Sequence, residues 1–277
     1  MKVITLKKAV LLTVAVVGMG LAPAASAAHA TEFLDPLQTE IATRLENLPD
    51  DTEPDVRRAL QKANASLNKN TRTLSADLGA LSQAGTALAS ALADDATLNG
   101  LQNDALNAYS SEAQSQLDDV LALVGATPAP KSLSNQLSQI QAALDRGNEG
   151  TNSTSVRAKA IAFALNKIRV ANILATRTFK APVSLADKVV TLTSRQSGAI
   201  VLDSNGTYVI GDPTTPDETG TWTYERLTVN TAVVTLSGGH TLNLKFAKPT
   251  NGTYSEETDD GTIRGKFIVE DVVVEEL

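Results

Sequence analysis

The spacing of apolar residues along the chain changes near residue 183. Before that point leucine, isoleucine and valine recur at intervals of three and four, which predicts amphipathic helices. After Pro182 the period is two, as in Val190 and Leu192 or Leu242, Leu244 and Phe246. The pattern therefore predicts a two-part α+β chain, with a helical bundle over residues 31–182 and an antiparallel β-domain over residues 183–277.

Helix start and stop signals divide the first part into segments joined by short turns, which favours antiparallel neighbours. Thr52 and Pro54 predict one helix start, Asp94 and Asp95 another, and Ser132 a third. The predicted helices cover about 34–48, 54 onward with a break at 68–71, 95–124, a short helix after 132, and 154–178. Leu121 is assigned to the apolar face of the 95–124 helix, and Ile173 to that of the last.

A leucine heptad runs through the second segment, at Leu60, Leu67, Leu74, Leu81 and Leu88. A self-sufficient coiled coil needs apolar residues at both seam positions, and here the other position is polar or glycine at three of five places. The pattern favours a helical bundle within one chain, and hence a monomer, over a dimeric zipper.

The second part carries one tripeptide three times, as Gly206-Thr207-Tyr208, Gly220-Thr221-Trp222 and Gly252-Thr253-Tyr254. Glycine turns that feed alternating strands predict an antiparallel meander of about eight strands, forming a small barrel or a half-barrel. Tyr208, Trp222 and Tyr254 then share one face. They either fill the core, which we favour, or line a site for a small apolar ligand.

The stretches 205–208, 220–224 and 242–246 give residues 189–269 a resemblance to the small lipocalin-like β-domains of exported bacterial proteins. The whole layout, with an Ala/Leu-rich helical region ahead of such a domain, is similar to uncharacterised proteins of that kind. The resemblance implies a small antiparallel barrel or half-barrel. It carries over no functional residue, because the shared pattern is structural.

Residues 1–30 have the features of an export signal. Lys2, Lys7 and Lys8 precede the apolar stretch Ala9–Leu21, and small residues follow it. An apolar stretch of this length is shorter than the roughly 20 residues that span a bilayer, so we expect cleavage rather than a stable membrane anchor. The predicted location is periplasmic or extracellular. The chain has no cysteine, which excludes disulfides and thiolate ligands.

Charge is unevenly distributed. Residues 183–277 carry 7 basic and 14 acidic residues, and the whole chain has a net charge of −7, which makes nucleic acid an unsuitable partner. The last helix is the exception, because six basic residues and no acidic one lie between Glu149 and Asp187. This basic helix either binds an anionic membrane or partner, or has its charges neutralised by the acidic domain or by solvent, which we favour.

Catalytic chemistry has little support in the sequence. His240 lies in a predicted Gly-Gly turn, where an exposed turn residue is favoured over a catalytic base, and no metal set or cofactor loop is found. The acidic run 256–261 is interpreted as a solvated turn, with weak calcium binding as the alternative. We expect a non-catalytic exported protein with a structural or interaction role and an unknown protein or cell-envelope partner. A small-ligand module or a carboxylate hydrolase is the alternative.

Overall fold

The computed structural model of the protein describes residues 32–69, 73–193, 198–212, 215–259 and 261–272, so the predicted export signal lies outside the described residues. Within them, six helices are followed by eight strands, which confirms the predicted two-part α+β fold. The helices are α1 (Asp35–Glu46), α2 (Pro54–Leu67), α3 (Leu74–Ala89), α4 (Ala96–Val124), α5 (Lys131–Asn148) and α6 (Thr154–Thr178).

The strands form a closed antiparallel barrel in which each strand pairs with its neighbour in sequence, so the half-barrel alternative is not adopted. They are β1 (Lys188–Thr193), β2 (Gly198–Leu202), β3 (Thr207–Asp212), β4 (Thr215–Arg226), β5 (Thr231–Leu236), β6 (Thr241–Lys248), β7 (Asn251–Thr258) and β8 (Gly261–Asp271). Pairing of β1 with β8, from Lys188↔Asp271 to Thr193↔Lys266, closes the barrel.

Side-chain caps fix three of the helix starts. The carboxylate of Asp95 accepts a hydrogen bond from the Leu98 amide at 3.0 Å, and Thr73 and Ser153 cap α3 and α6 in the same way. Each such cap satisfies an amide that the first helical turn leaves unpaired. The prediction that Ser132 caps a helix is wrong, because α5 begins at Lys131 and Pro130 occupies the cap position.

The leucine heptad is buried inside this one chain. It is divided between two helices, with Leu60 and Leu67 on α2 and Leu74, Leu81 and Leu88 on α3, and all five leucines belong to the bundle core. A dimer seam would need these side chains on the surface, so their burial favours the bundle interpretation. Two residues assigned to apolar core faces are instead exposed, Leu121 on α4 and Ile173 on α6.

Alternation along the strands sorts the barrel residues into two sets. On β6, for example, Leu242, Leu244 and Phe246 are buried while the residues between them are exposed. The same period of two recurs around the barrel, because successive side chains of a strand point to opposite faces. The buried barrel residues form their own core, separate from that of the bundle.

The segment between α6 and β1 packs into the barrel. Ala181 and Leu185 belong to the barrel core, and the Tyr224 hydroxyl donates a hydrogen bond to the Pro182 carbonyl at 2.5 Å. The Val229 carbonyl, in the β4–β5 turn, accepts hydrogen bonds from the amides of Lys180 and Ala181. This end of the barrel is therefore the one that faces the helices.

Arg226, the last residue of β4, joins the two parts directly. Its guanidinium donates hydrogen bonds to the carbonyls of Leu123 and Val124 at the end of α4 and to Thr127 Oγ1, and it lies 4.9 Å from the Phe179 ring centroid. The carboxyl end of a helix carries partial negative charge, so a cation placed there stabilises α4 as it attaches the barrel to it.

None of the helices in the described part of the chain is long and apolar enough to cross a membrane.

Candidate functional site

The three aromatic residues predicted to bind a ligand all point to the barrel interior, but they do so as core residues. Tyr208 and Tyr254 are almost fully buried, and Trp222 is partly buried against the same core. The Trp222 indole donates a hydrogen bond to the Asp203 carbonyl at 3.0 Å. This close packing favours the core interpretation, and ligand binding by these rings stays a prediction.

Two surface depressions of the described structure lie on the bundle, away from these rings. One, of about 470 Å³, follows the loop Ala89–Asp95, and the other, of about 410 Å³, lies between α1 and α2. Both are open to solvent and neither is lined by a barrel residue. An eight-stranded barrel has an interior just wide enough for its own side chains or one small ligand, and here side chains occupy it.

A polar cluster lies at the end of the barrel opposite the helices. His240, just after the β5–β6 turn, places Nδ1 2.5 Å from Glu256 Oε1 on β7 and Nε2 3.6 Å from Glu218 Oε2 on β4. The Tyr208 hydroxyl on β3 donates to Glu218 and accepts a hydrogen bond from the Gly238 amide at 3.3 Å. We call Tyr208, Glu218, His240 and Glu256 the rim cluster.

The carboxylates determine the protonation of the imidazole. The hydrogen bond with Glu256 raises the pKa of His240 above its ordinary value, against the opposing effect of burial, and Glu218 adds to the rise. His240 is thus not a free turn residue, although its side chain is 43% exposed. Glu256 is buried on β7, so the interpretation of 256–261 as one solvated turn is wrong for its first residue.

The rim cluster is built as a clamp. Its members come from three strands and one turn, and its hydroxyl, carboxylates and imidazole bond mainly to one another. The imidazole lies between two carboxyl groups, and its raised pKa favours the protonated form, which is a poorer proton acceptor. The arrangement can hold four neighbouring segments of the barrel together at its far end, and we assign it that structural role.

The basic residues of the last helix do not act as one group. Arg157 turns inward and is buried, where its guanidinium donates to Asn103 Oδ1 at 2.7 Å, Asn107 Oδ1 at 3.2 Å and the Gly147 carbonyl at 2.8 Å. It thereby joins α6 to α4 and to the end of α5. The other cations of this helix remain on its outer surface or edge.

The outer surface of α6 carries a continuous stripe of mixed character. Phe163, Val170 and Ile173 are 47%, 44% and 45% exposed. Together with Lys159, Asn166 and Arg177 they occur at alternating spacings of four and three, which places all six on one helix face. Lys167 and Arg169 lie on the two sides of this face. We call these eight residues the α6 stripe.

No ion pair among the described residues joins a cation of the α6 stripe to a carboxylate. Lys167 instead lies over the Phe163 ring, 5.3 Å from its centroid. Of the two possibilities that we favour together, pairing with the acidic β-domain is therefore absent from the described structure, which leaves these charges to be neutralised by solvent. A cation over an aromatic ring adds a modest attraction and keeps the positive charge beside the apolar surface.

Two of the three helices that pack against α6 add little negative charge to its surroundings. α6 packs against α3, α4 and α5. The only charged residue of α3 is the buried Asp77, and α5 carries exposed Lys131, Asp145 and Arg146. Leaving out buried Asp77 and Arg157, helices α3, α5 and α6 hold 6 basic residues and 1 acidic one, whereas α1, α2 and α4 hold 4 and 8. The acidic excess belongs to α1 and α4, which hold 7 acidic residues and 1 basic one, whereas α2 holds 1 and 3. We call the outer surfaces of α3, α5 and α6 the positive side of the bundle.

The alanine residues of α6 were the sequence signal for the stripe, and the spacing of the large apolar residues alone did not reveal it. Apolar residues occur all around α6, and Ile173 was assigned to the buried face. The face that is actually buried is rich in alanine, including Ala164, Ala171 and Ala175. Small residues allow the close approach of neighbouring helices, so they occupy the centre and leave larger side chains outside.

Comparison of the chain with protein-family models, with curated proteins and with solved structures finds no match. The lipocalin-like resemblance therefore stays a prediction. We infer the function of the protein from the geometry of this chain alone.

Proposed function

We propose that the protein is a non-catalytic exported protein that binds an anionic partner of the cell envelope through the α6 stripe. The observation that carries the proposal is the exposure of three large apolar side chains on one helix face, among cations that form no ion pair with the residues described. Contiguous apolar surface rimmed by polar groups is typical of interaction sites. The barrel then serves as a rigid body attached to the bundle through Arg226.

Envelope binding tests the proposal. The chain without the predicted signal, residues 31–277, is mixed with envelopes from the producing cells and sedimented. We expect co-sedimentation that Phe163→Ser combined with Ile173→Ser abolishes. The matched control is Leu227→Ser combined with Ile268→Ser, since those two side chains are 49% and 47% exposed but lie on the β-domain. Equal loss in both double variants, or no binding at all, would contradict the proposal.

The alternative function is binding of a small apolar ligand around Tyr208, Trp222 and Tyr254. Native mass spectrometry of the protein from its own cells distinguishes the two. We expect the mass of the bare polypeptide, because side chains fill the barrel. An excess mass that disappears on denaturation would support the ligand-binding alternative instead.

A further inference from the structure

We propose that the partner of the α6 stripe is the surface of an anionic lipid bilayer, on which α6 lies parallel to the membrane plane. This inference rests on the proposed function and names its partner class. It requires a surface that accepts apolar side chains and attracts cations over the whole length of the helix.

The arrangement of apolar and cationic residues along the stripe suits a membrane surface. Its apolar residues occupy the middle, Lys159 and Arg177 stand at the two ends, and Lys167 and Arg169 lie on the two sides. From residue 159 to residue 177 a helix extends about 27 Å. Phenylalanine, valine and isoleucine can then enter the boundary between headgroups and acyl chains, while the long cationic side chains around them reach the phosphates.

The positive charge near the stripe favours an anionic surface. The positive side of the bundle has a single exposed acidic residue in its helices, Asp145, and the adjoining α3 surface has no exposed charge. Positive charge spread over a broad face of the protein is complementary to the negative charge of an anionic membrane. The electrostatic attraction between protein and membrane increases with each cation near that surface. A second copy of this chain would place cations against cations, so the same face opposes self-association.

The distribution of acidic residues favours one orientation. Acidic residues are concentrated in α1, α4 and the β-domain, whereas α2 carries three basic residues and one acidic residue. An anionic surface repels the acidic regions and attracts α6, so charge favours docking through the positive side of the bundle. A protein partner remains the competing possibility, and it is separated from the lipid by the test below.

Vesicle sedimentation tests the inference. Residues 31–277 are mixed with vesicles of equal parts phosphatidylglycerol and phosphatidylcholine, or of phosphatidylcholine alone. The predicted export signal is removed because its apolar stretch would itself bind lipid. We expect binding to the anionic vesicles only, weakened at least about tenfold by Lys167→Gln combined with Arg169→Gln. The control removes two exposed barrel cations, Lys245→Gln combined with Lys266→Gln, and should leave binding unchanged.

Phe163→Ser should also weaken vesicle binding, while Ile268→Ser should not. Urea unfolding midpoints of all variants should match that of the parent, since each changed side chain is exposed or lies at the surface edge. Absence of vesicle binding, or binding indifferent to the α6 variants, would overturn the lipid assignment. If envelopes still bind through Phe163 and Ile173 in that case, the proposed function holds and the partner is a protein or another envelope polymer.

Discussion

Glycines on the barrel strands stand next to aromatic rings of neighbouring strands. A methyl group at Gly220 would come within 2.8 Å of the Tyr208 ring, and one at Gly252 within 2.8 Å of the Phe267 ring. Gly265 pairs with Tyr254 in the same manner. Packing therefore explains the Gly-Thr-aromatic tripeptide at its second and third copies. The glycine leaves room for an aromatic ring of the neighbouring strand, and the aromatic residue two positions later points into the barrel.

Gly252→Ala should destabilise the protein by about 1–3 kcal/mol, because the added methyl group would also press against the Lys245 carbonyl. Gly198→Ala is the matched control on β2, since nothing lies within 4 Å of the position its methyl group would take. The free energy of unfolding from urea titration checks both. Similar values for the two variants would refute the packing argument.

Asp77 is a buried carboxyl on α3 whose stability effect depends on pH. Burial raises its pKa to about 6, although a hydrogen bond with Tyr109 opposes the rise. The folded state therefore holds the proton more tightly than the unfolded state, in which the pKa is about 3.9. The free energy of unfolding should therefore decrease as pH increases from about 4 to about 6. Above that range the protein should be less stable by roughly 3 kcal/mol than it would be with Asp77 protonated.

Asp77→Asn removes this cost. We expect the variant to be more stable than the parent above pH 6 and to lose that advantage towards pH 4, as measured by urea unfolding at several pH values. Asp104→Asn, at an exposed position on α4, is the matched control for the substitution itself. A constant difference between Asp77→Asn and the parent across the range would mean that Asp77 does not titrate with folding.

At the scale of elements, the rim cluster and Arg226 stabilise opposite ends of the barrel. One holds β3, β4, β7 and the β5–β6 turn together, and the other attaches β4 to the end of α4. Both place a basic side chain against several oxygen atoms. They differ in that an imidazole loses its charge as pH increases, whereas a guanidinium does not.

His240→Gln tests the rim cluster. Because the pKa of His240 is raised on folding, its stabilising effect is complete below about pH 6.5 and is lost as pH increases through the folded-state pKa. We expect a loss of up to about 1 kcal/mol at pH 6, limited by solvent screening of a half-exposed side chain, and a smaller loss at pH 9. A loss of stability that is larger at pH 9 than at pH 6 would show that the protonated imidazole does not stabilise the rim cluster.

Arg226→Met tests the connection between the two parts. The substitution keeps apolar contact with Phe179 but leaves the carbonyls of Leu123 and Val124 without their charged donor, which should cost about 2–3 kcal/mol. Limited proteolysis should cut residues 179–187 faster than in the parent. Arg264→Met, at an exposed position on β8, should leave the cleavage rate unchanged, and equal acceleration in both would exclude a specific role for Arg226.

At the scale of the whole molecule, hydrophobic periodicity was sufficient to predict the two-part fold. The change from spacings of three and four to alternation separates α6 from β1, and the Gly-Thr-aromatic copies mark strands around the barrel. The rim cluster was beyond that reasoning, because Glu218, His240 and Glu256 meet only through strand register and barrel closure. The same is true of Arg226, whose partners Leu123 and Thr127 lie about a hundred residues away in the chain.

We propose that the α6 stripe, rather than the barrel surface, contacts the partner. Site-specific photo-crosslinking distinguishes the two surfaces. A photoreactive residue replaces Val170 in one variant and Ile268 in another, since their exposures of 44% and 47% are nearly equal. With envelopes present, we predict crosslinked lipid or protein from position 170 and little from position 268. Equal yields, or a higher yield from position 268, would show that the α6 stripe is not the contact surface.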